Sequence, residues 1–290
     1  MIISFSRKFV FIHAPKCAGE SVEFFCGGQL PFTDLIIGPQ VRRPRGWNQL
    51  TKAITGLSKH SGTIEVKNWL GDRRYSSYFS FSIVRHPEKR VLSCVSYLMN
   101  YIAKCAKFRE TVNIGERFSY KIWPGCRAAF LQNHGLRDSD LIEIFETGKS
   151  PSSLAFFKKG LWRWSPMRAF LTTDSLLDFI NSPYLAKTHG LEPLSELLCD
   201  AHGRLMVTAF ARLENLDAEW PVIAKKIGVD GALPTRNMSR SHTQLSLDEP
   251  CRQAVQERYR RDYEMFGYPP DPRSPLRDPQ TSAVWICDRG

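Results

Sequence analysis

Two short stretches of this chain gather residue types that bind anions. In "FIHAPKCAGES" (11–21), Lys16 supplies a point charge, Ala18 and Gly19 permit close approach of the backbone, and Ser21 adds a hydroxyl. The N–H groups of residues 17 to 21 would lie at the start of a helix, where unsatisfied donors and the backbone dipole favour a negative ligand. In "VRHPEKRVLS" (84–93), Arg85 offers a planar fork of donors and Ser93 a single one, a pair able to converge on one dianion. Two such sites side by side suit a nucleotide phosphorylated at both ends. Taken singly, each stretch also reads as an ordinary turn into a helix, the second stabilised by Glu88 near the positive end of its helix.

The elements that must position these residues follow from hydrophobic pattern. "KFVFIHA" (8–14) is a short apolar, β-branched and aromatic run that stops at Pro15, as a buried strand does, and Gly19 to Cys26 reads as the start of a helix with Val22, Phe24 and Phe25 inward. "YFSFSIV" (78–84) is a second strand, followed by a helix with Val91, Leu92, Val95, Leu98 and Met99 at helical spacing. A third strand is expected at "LMVTAFA" (205–211), helices at "LIEIFET" and "SLLDFI", and one long amphipathic helix at "EPCRQAVQERYRRDYEMFGY" (249–268). Residues 38–56, rich in Pro, Gly and Arg, read as a mobile surface excursion. Two strand-loop-helix units predict an α/β fold, a central mostly parallel sheet flanked by helices, with both anion loops opening at the carboxyl edge of the strands. One domain, 1–268, is expected, with a weakly ordered tail at 269–290.

Composition narrows the partner. Of 290 residues, 42% are hydrophobic, enough for a sizeable core, and 40 Lys plus Arg against 29 Asp plus Glu give a net charge of +11. That excess favours an anionic partner without choosing among nucleotide, acidic glycan, nucleic acid and lipid headgroup. No zinc finger, aromatic RNA-binding block or basic helix-turn-helix pattern supports a nucleic-acid partner. The eight cysteines include no C-x-x-C pair, so reduced thiols and no structural zinc are expected. The N-terminal "MIISFSRKFVFIHAP" carries Arg7 and Lys8 and no apolar run of about 18 residues, so neither a signal peptide nor a membrane anchor is predicted. A cytoplasmic location is the corresponding expectation, and it is compatible with peripheral contact with a membrane.

Taken together, the two loops resemble the 5′-phosphosulfate and 3′-phosphate loops of sulfotransferases that use 3′-phosphoadenosine 5′-phosphosulfate. The likeness is to the carbohydrate sulfotransferase branch (sulfotransferase family 2-like), and "LSKHSGTIEVKNWLG" (57–71), "FARLENLDAEW" (210–220), "LPTRNMSRSH" (233–242) and "YRRDYEMFGY" (259–268) resemble further blocks of it, in order. The resemblance implies a P-loop-like three-layer fold in which 38–56 and 105–170 are variable insertions on the acceptor side. It implies that Lys16 contacts the 5′-phosphosulfate and that Cys17, Ala18, Gly19, Glu20 and Ser21 complete its cradle. Arg85 and Ser93 would hold the 3′-phosphate, and Arg236 and Asn237 would sit in a loop closing over the nucleotide. The acceptor implied is a hydroxyl of a polysaccharide or glycolipid.

In-line transfer moves charge onto the oxygen bridging sulfate and phosphate, so a cation there stabilises the transition state more than the ground state, and Lys16 is suited to that role. The acceptor hydroxyl must lose a proton, and His60 in "SKHSG" is the family-like base. Glu20, Glu23 and His13 stay open as alternatives. His86 stands where Asp or Asn is often found, which bears on loop capping. Trp162 stands where related chains often carry a histidine, so acceptor recognition departs from the family pattern. Trp162, Arg163, Trp164 and Arg168 form a cluster suited to stacking on a sugar ring and binding its acidic groups, or equally to core packing. Glu214 and Asn215 read as structural.

Two other classes compete. A nucleotide kinase with the loop G-x-x-x-x-G-K-[ST] places its lysine after the second glycine and holds Mg²⁺ with a hydroxyl. Here the lysine leads and the second strand ends in Arg85, where a metal cation would meet another cation, so transfer without metal is expected. The second competitor is a non-catalytic polyanion binder using the basic surface.

Overall fold

Short runs of aromatic and β-branched residues build a six-stranded sheet in the computed structural model of the chain. The structure describes residues 1–38, 46–105, 123–149, 163–186, 190–234, 247–276 and 285–286. The strands are β1 (Ile2–Ser4), β2 (Phe9–Ile12), β3 (Leu35–Ile36), β4 (Phe79–Val84), β5 (Ala209–Arg212) and β6 (Trp285–Ile286), ordered β3-β1-β2-β4-β5-β6. The inner three are parallel, with Phe9 opposite Phe79 and Phe81 opposite Ala209, while β1 pairs antiparallel with β2, β3 antiparallel with β1, and β6 antiparallel with β5.

Parallel strands have both faces covered and so read as continuous apolar runs. β2 and β5 are buried throughout, and β4 is buried but for Phe79. Phe81, on the central strand, lies with ring centroids 6.1 Å from Phe9 and 5.0 Å from Phe11. The alternating serines of β4 are buried too, and their polarity is satisfied. Ser82 Oγ donates to the Ile12 carbonyl at 2.8 Å, and Thr208 N–H donates to Ser80 Oγ at 3.1 Å.

The helices in chain order are α1 (Gly19–Gly27), α2 (Trp47–Thr55), α3 (Thr63–Leu70), α4 (Asp72–Ser77), α5 (Pro87–Cys105), α6 (Trp123–His134) and α7 (Asp138–Thr147). They continue as α8 (Ser165–Leu171), α9 (Leu176–Asn181), α10 (Leu194–Leu198), α11 (Leu216–Ile227), α12 (Glu249–Arg258) and α13 (Arg260–Phe266). The chain forms two compact units. One comprises residues 1–87, 193–237 and 259–290 and holds the whole sheet; the other comprises 88–192 and 238–258 and is helical. In the sheet unit, α1 meets α11 through Phe25 and Trp220 edge to face at 5.7 Å, and β5 meets α13 through Phe210 and Phe266 at 5.0 Å. Asp262 caps α10, its two oxygens accepting from Leu194 N–H at 2.7 Å and Ser195 N–H at 2.8 Å.

The fold is thus α/β with a mostly parallel sheet, and it departs from the pattern reading at five places. The first is β1, which the sequence does not announce because three residues carry no period; buried Asp34 fixes the turn after it, accepting from Ser4 Oγ at 2.6 Å, Phe5 N–H at 2.9 Å and Ser6 N–H at 3.0 Å. The third expected strand begins at Ala209 rather than Leu205, which instead bridges Cys199. The long closing helix is two, α12 and α13, broken at Tyr259 (φ −110°, ψ 20°), because Cys251 and Val255 bury in the helical unit and Tyr263 and Phe266 in the sheet unit. Within 38–56, residues 47–55 are helical. Finally, Trp285 pairs with Phe210, adding an edge strand beyond residue 269.

Candidate active site

β2, β4 and β5 run in parallel, so the segments after Ile12, Val84 and Arg212 leave the sheet along one edge. The first is the lysine-bearing turn. Lys16 has φ 65° and Ala18 φ 56°, left-handed conformations that side chains with a Cβ rarely adopt and that cost about 1–3 kcal/mol each. Ser21 N–H donates to the Ala18 carbonyl at 3.0 Å, starting α1, and Ala18 at its N-cap makes no side-chain cap bond. Cys17, between the two strained residues, is buried with its thiol directed to the Pro15 carbonyl at 3.4 Å. Gly19 is required sterically: a Cβ there would lie 2.3 Å from the His13 ring.

The turn is held from the neighbouring strand. Arg85, the first residue after β4, donates from Nη1 to the Lys16 carbonyl at 3.2 Å, and its Nε is buried with no partner among the described residues. A buried orphan donor on a guanidinium is costly unless something accepts from it, and an anion oxygen is the natural acceptor beside Lys16. The residues present therefore fit a bound nucleotide phosphate or phosphosulfate.

The second segment is tied to the third. His86 N–H donates to Glu214 Oε1 at 3.0 Å and Tyr268 Oη to Glu214 Oε2 at 3.1 Å, while His86 Nε2 lies 2.9 Å from the Pro269 carbonyl. Burial beside the Glu214 carboxylate pushes the Tyr268 hydroxyl well above its usual pKa. Asn215 Nδ2 donates to Glu219 Oε1 at 3.1 Å, and Glu219 also holds buried Arg212. Glu214 and Asn215 thus serve as ties beneath the edge.

His60 reaches the same region from the loop before α3. Its Nδ1 lies 2.9 Å from the His13 carbonyl, which can only accept, so Nδ1 carries the hydrogen and Nε2 the lone pair. The two imidazoles meet edge to face with centroids 4.7 Å apart. Burial, then the His13 ring and Lys59, lowers the His60 pKa to about 3, so the ring is neutral across the physiological range. Next to it, Lys59 Nζ pairs with Glu20 Oε1 at 2.7 Å, which joins the His60 loop to the first turn of α1.

His13 Nδ1 lies 2.5 Å from Glu23 Oε1, which also accepts from the amino group of Met1. Glu23 is not the exposed first-turn acid its position suggests. It is 1% exposed and faces inward with Gly19, Val22 and Cys26, whereas Phe24 and Phe25 are only half-buried. That stripe follows the 3.6-residue period, and an acid occupies it because a histidine sits opposite.

Of the residues singled out in the sequence, Lys16, Cys17, Ala18, Gly19, Glu20, Ser21, Arg85 and His60 come together in the sheet unit. Ser93 is half-buried on α5, in the helical unit. Arg236, Asn237 and Trp162 lie outside the described residues. Arg163 is exposed; Trp164 stands edge-on to Tyr97 at 5.9 Å, its Nε1 against Gly190. Arg168 donates to the Phe145 carbonyl at 3.3 Å and lies over its ring, so Trp164 and Arg168 both have packing roles within the helical unit. Sequence reasoning missed Lys59 and the bond between Arg85 and the Lys16 carbonyl. Lys59 was legible as the neighbour of His60; the Arg85 bond depends on strand register.

A family model described as "Sulfotransferase family" matches residues 1–269. No match was found among curated protein sequences or among solved structures.

Proposed function

The chain belongs to the sulfotransferase family, and on that premise we propose that it transfers a sulfuryl group from 3′-phosphoadenosine 5′-phosphosulfate to a hydroxyl of a carbohydrate, on a polysaccharide or glycolipid. The three-layer P-loop-like arrangement and a cytoplasmic setting are part of the same reading. The observation that carries it is the turn of Lys16 and Ala18, two left-handed residues with side chains, held by Arg85 at the start of α1. Strain of this kind persists where a backbone must present its donors to a ligand.

In this reading Lys16 and the N–H groups of residues 17–21 hold the 5′-phosphosulfate, and Arg85 donates to a phosphate oxygen of the nucleotide. The acceptor oxygen attacks sulfur, the bond from sulfur to the bridging oxygen breaks, and the nucleotide leaves with that oxygen's negative charge. Lys16 offsets this charge as it develops. The acceptor's proton passes to His60 Nε2, the ring nitrogen left without hydrogen by the bond from Nδ1 to His13. Glu20 is the weaker candidate base because its carboxylate is paired with Lys59, and Glu23 because it is buried against His13.

Transfer of labelled sulfate from the donor to a panel of cell glycans, with the product identified by mass spectrometry, tests the reading. Lys16→Ala should abolish turnover, and His60→Ala should cut it by about 10²- to 10⁴-fold to a residual rate, with nucleotide binding intact. No labelled glycan from the wild-type protein across the panel would reject a carbohydrate acceptor.

A further inference from the structure

The buried line that ends at His60 extends two residues deeper than the transfer step above uses. His60 Nδ1–H is held by the main-chain oxygen of His13, the His13 ring abuts the His60 ring, and Glu23 grips His13 Nδ1 from α1. Glu23 Oε2 is buried and accepts no hydrogen bond among the described residues, while Oε1 takes both His13 Nδ1 and the Met1 amino group, so the carboxylate is polarised toward His13 at a cost in solvation. Gly19 lies where only a residue without a Cβ lets α1 approach the His13 ring, which fixes that ring between helix and histidine.

We propose that His13 and Glu23 are positioning residues for sulfuryl transfer: His13 sets the tautomer and orientation of His60, and Glu23 fixes His13 while directing negative charge toward the imidazolium that forms. The inference rests on His60 being the base. When the acceptor proton reaches Nε2, His60 becomes a cation flanked by the His13 ring and by Lys59, and the Met1 amino group pairs with the same Glu23 oxygen that His13 contacts. Lys59 opposes that cation, though its pairing with Glu20 reduces the effect. Glu23 is the buried carboxylate in contact with His13, one ring removed from His60, and a nearby negative charge favours the protonated form of an imidazole. Burial, the His13 ring, Lys59 and the Met1 amino group all lower the His60 pKa, so a negative charge behind His13 acts against them.

Glu23→Gln keeps the shape of the side chain and removes its charge. The expected result is a fall in kcat of about 10- to 100-fold, part of the roughly 10²- to 10⁴-fold carried by a positioned base, with unchanged KM for the donor and unchanged affinity for adenosine 3′,5′-bisphosphate. His13→Asn, which retains a donor near the place of Nδ1, should keep more activity than His13→Ala. In a His60→Ala background, Glu23→Gln should lower the residual rate no further, because groups that act as a unit are not additive. Long-range ¹H–¹⁵N spectra of histidine-labelled protein should show His60 protonated at Nδ1 and bare at Nε2, a readout independent of any acceptor.

An unchanged kcat in Glu23→Gln, with His60→Ala reduced to its residual rate, would overturn the positioning role and leave the base in place. Equal further losses in both backgrounds, together with weaker nucleotide binding, would reduce Glu23 to a structural residue. Full activity in His60→Ala would overturn both this inference and the base assignment on which it rests.

Discussion

Acidification from pH 7 to pH 5 should destabilise the protein through His60, by an amount set by where the ring sits. Burial, the adjoining His13 ring and Lys59 hold its pKa near 3 in the folded chain, against an ordinary value of 6.5. On unfolding, the ring returns to water and takes up a proton near that ordinary value. The unfolded state then binds more protons, so the stability that neutral His60 supports is complete above pH 6.5 and is lost as the pH falls toward 3. Each pH unit below 6.5 removes about 1.36 kcal/mol, which gives about 2 kcal/mol at pH 5. Because the ring is only partly covered, this is an upper figure. Urea unfolding of the wild type and of His60→Gln at pH 7 and pH 5 isolates the effect, since glutamine does not titrate. The wild type should lose up to about 2 kcal/mol more than the variant over that interval. Equal losses in the two proteins would refute the reasoning. The same shift predicts that kcat/KM carries no limb from His60 near pH 6.5, because the free enzyme already holds the ring neutral.

Arg85→Ala should weaken binding of adenosine 3′,5′-bisphosphate by about 1.5–3 kcal/mol, the scale of a hydrogen bond to a charged group. Calorimetry with nucleotides bearing and lacking the 3′-phosphate decides where the arginine acts: an equal loss for both would place it at the lysine turn and reject a dedicated 3′-phosphate role. Gly19→Ala should destabilise the fold by about 1–3 kcal/mol, because its Cβ would fall 2.3 Å from the His13 ring. A midpoint of urea unfolding unchanged from wild type would show that the helix start can shift at no cost.

The parallel core was legible because β2 is a continuous apolar run followed by Pro15 and β4 a run of aromatic and β-branched residues, interrupted by two serines, that ends at the Arg85 turn. The shortest strands were not legible, since β1, β3 and β6 have only two or three residues each and carry no period of their own. At the site, residue types were readable and their pairings were not. Lys16, Gly19 and Arg85 stood out by type and spacing, and His60 only through the resemblance to the family. Glu23 was masked by its place near a helix start, where an acid needs no further reason, and only the approach of His13 across Gly19 reveals why it is buried. Polar residues within an apolar stripe carry this kind of information, and reading them requires the opposing face.

The position of the lysine before the glycine has a geometric cause. In a turn whose lysine follows its glycines, the tight bends fall on residues without side chains. Here the bends fall on Lys16 and Ala18, and Gly19 is reserved for the approach of α1 to His13. Two left-handed residues with Cβ atoms persist only if the surroundings over-determine them. Arg85 does so by binding the Lys16 carbonyl, and Cys17 by burying its thiol against Pro15. The consequence is that the two anion-binding stretches are not independent. An oxygen that draws on Arg85 Nε acts on the same guanidinium that fixes the backbone of Lys16, so occupancy at one stretch bears on the orientation of the lysine at the other. In the proposed transfer Lys16 and Arg85 would therefore act as one device, the charge of the leaving oxygen met by a lysine whose backbone the nucleotide itself would help to hold.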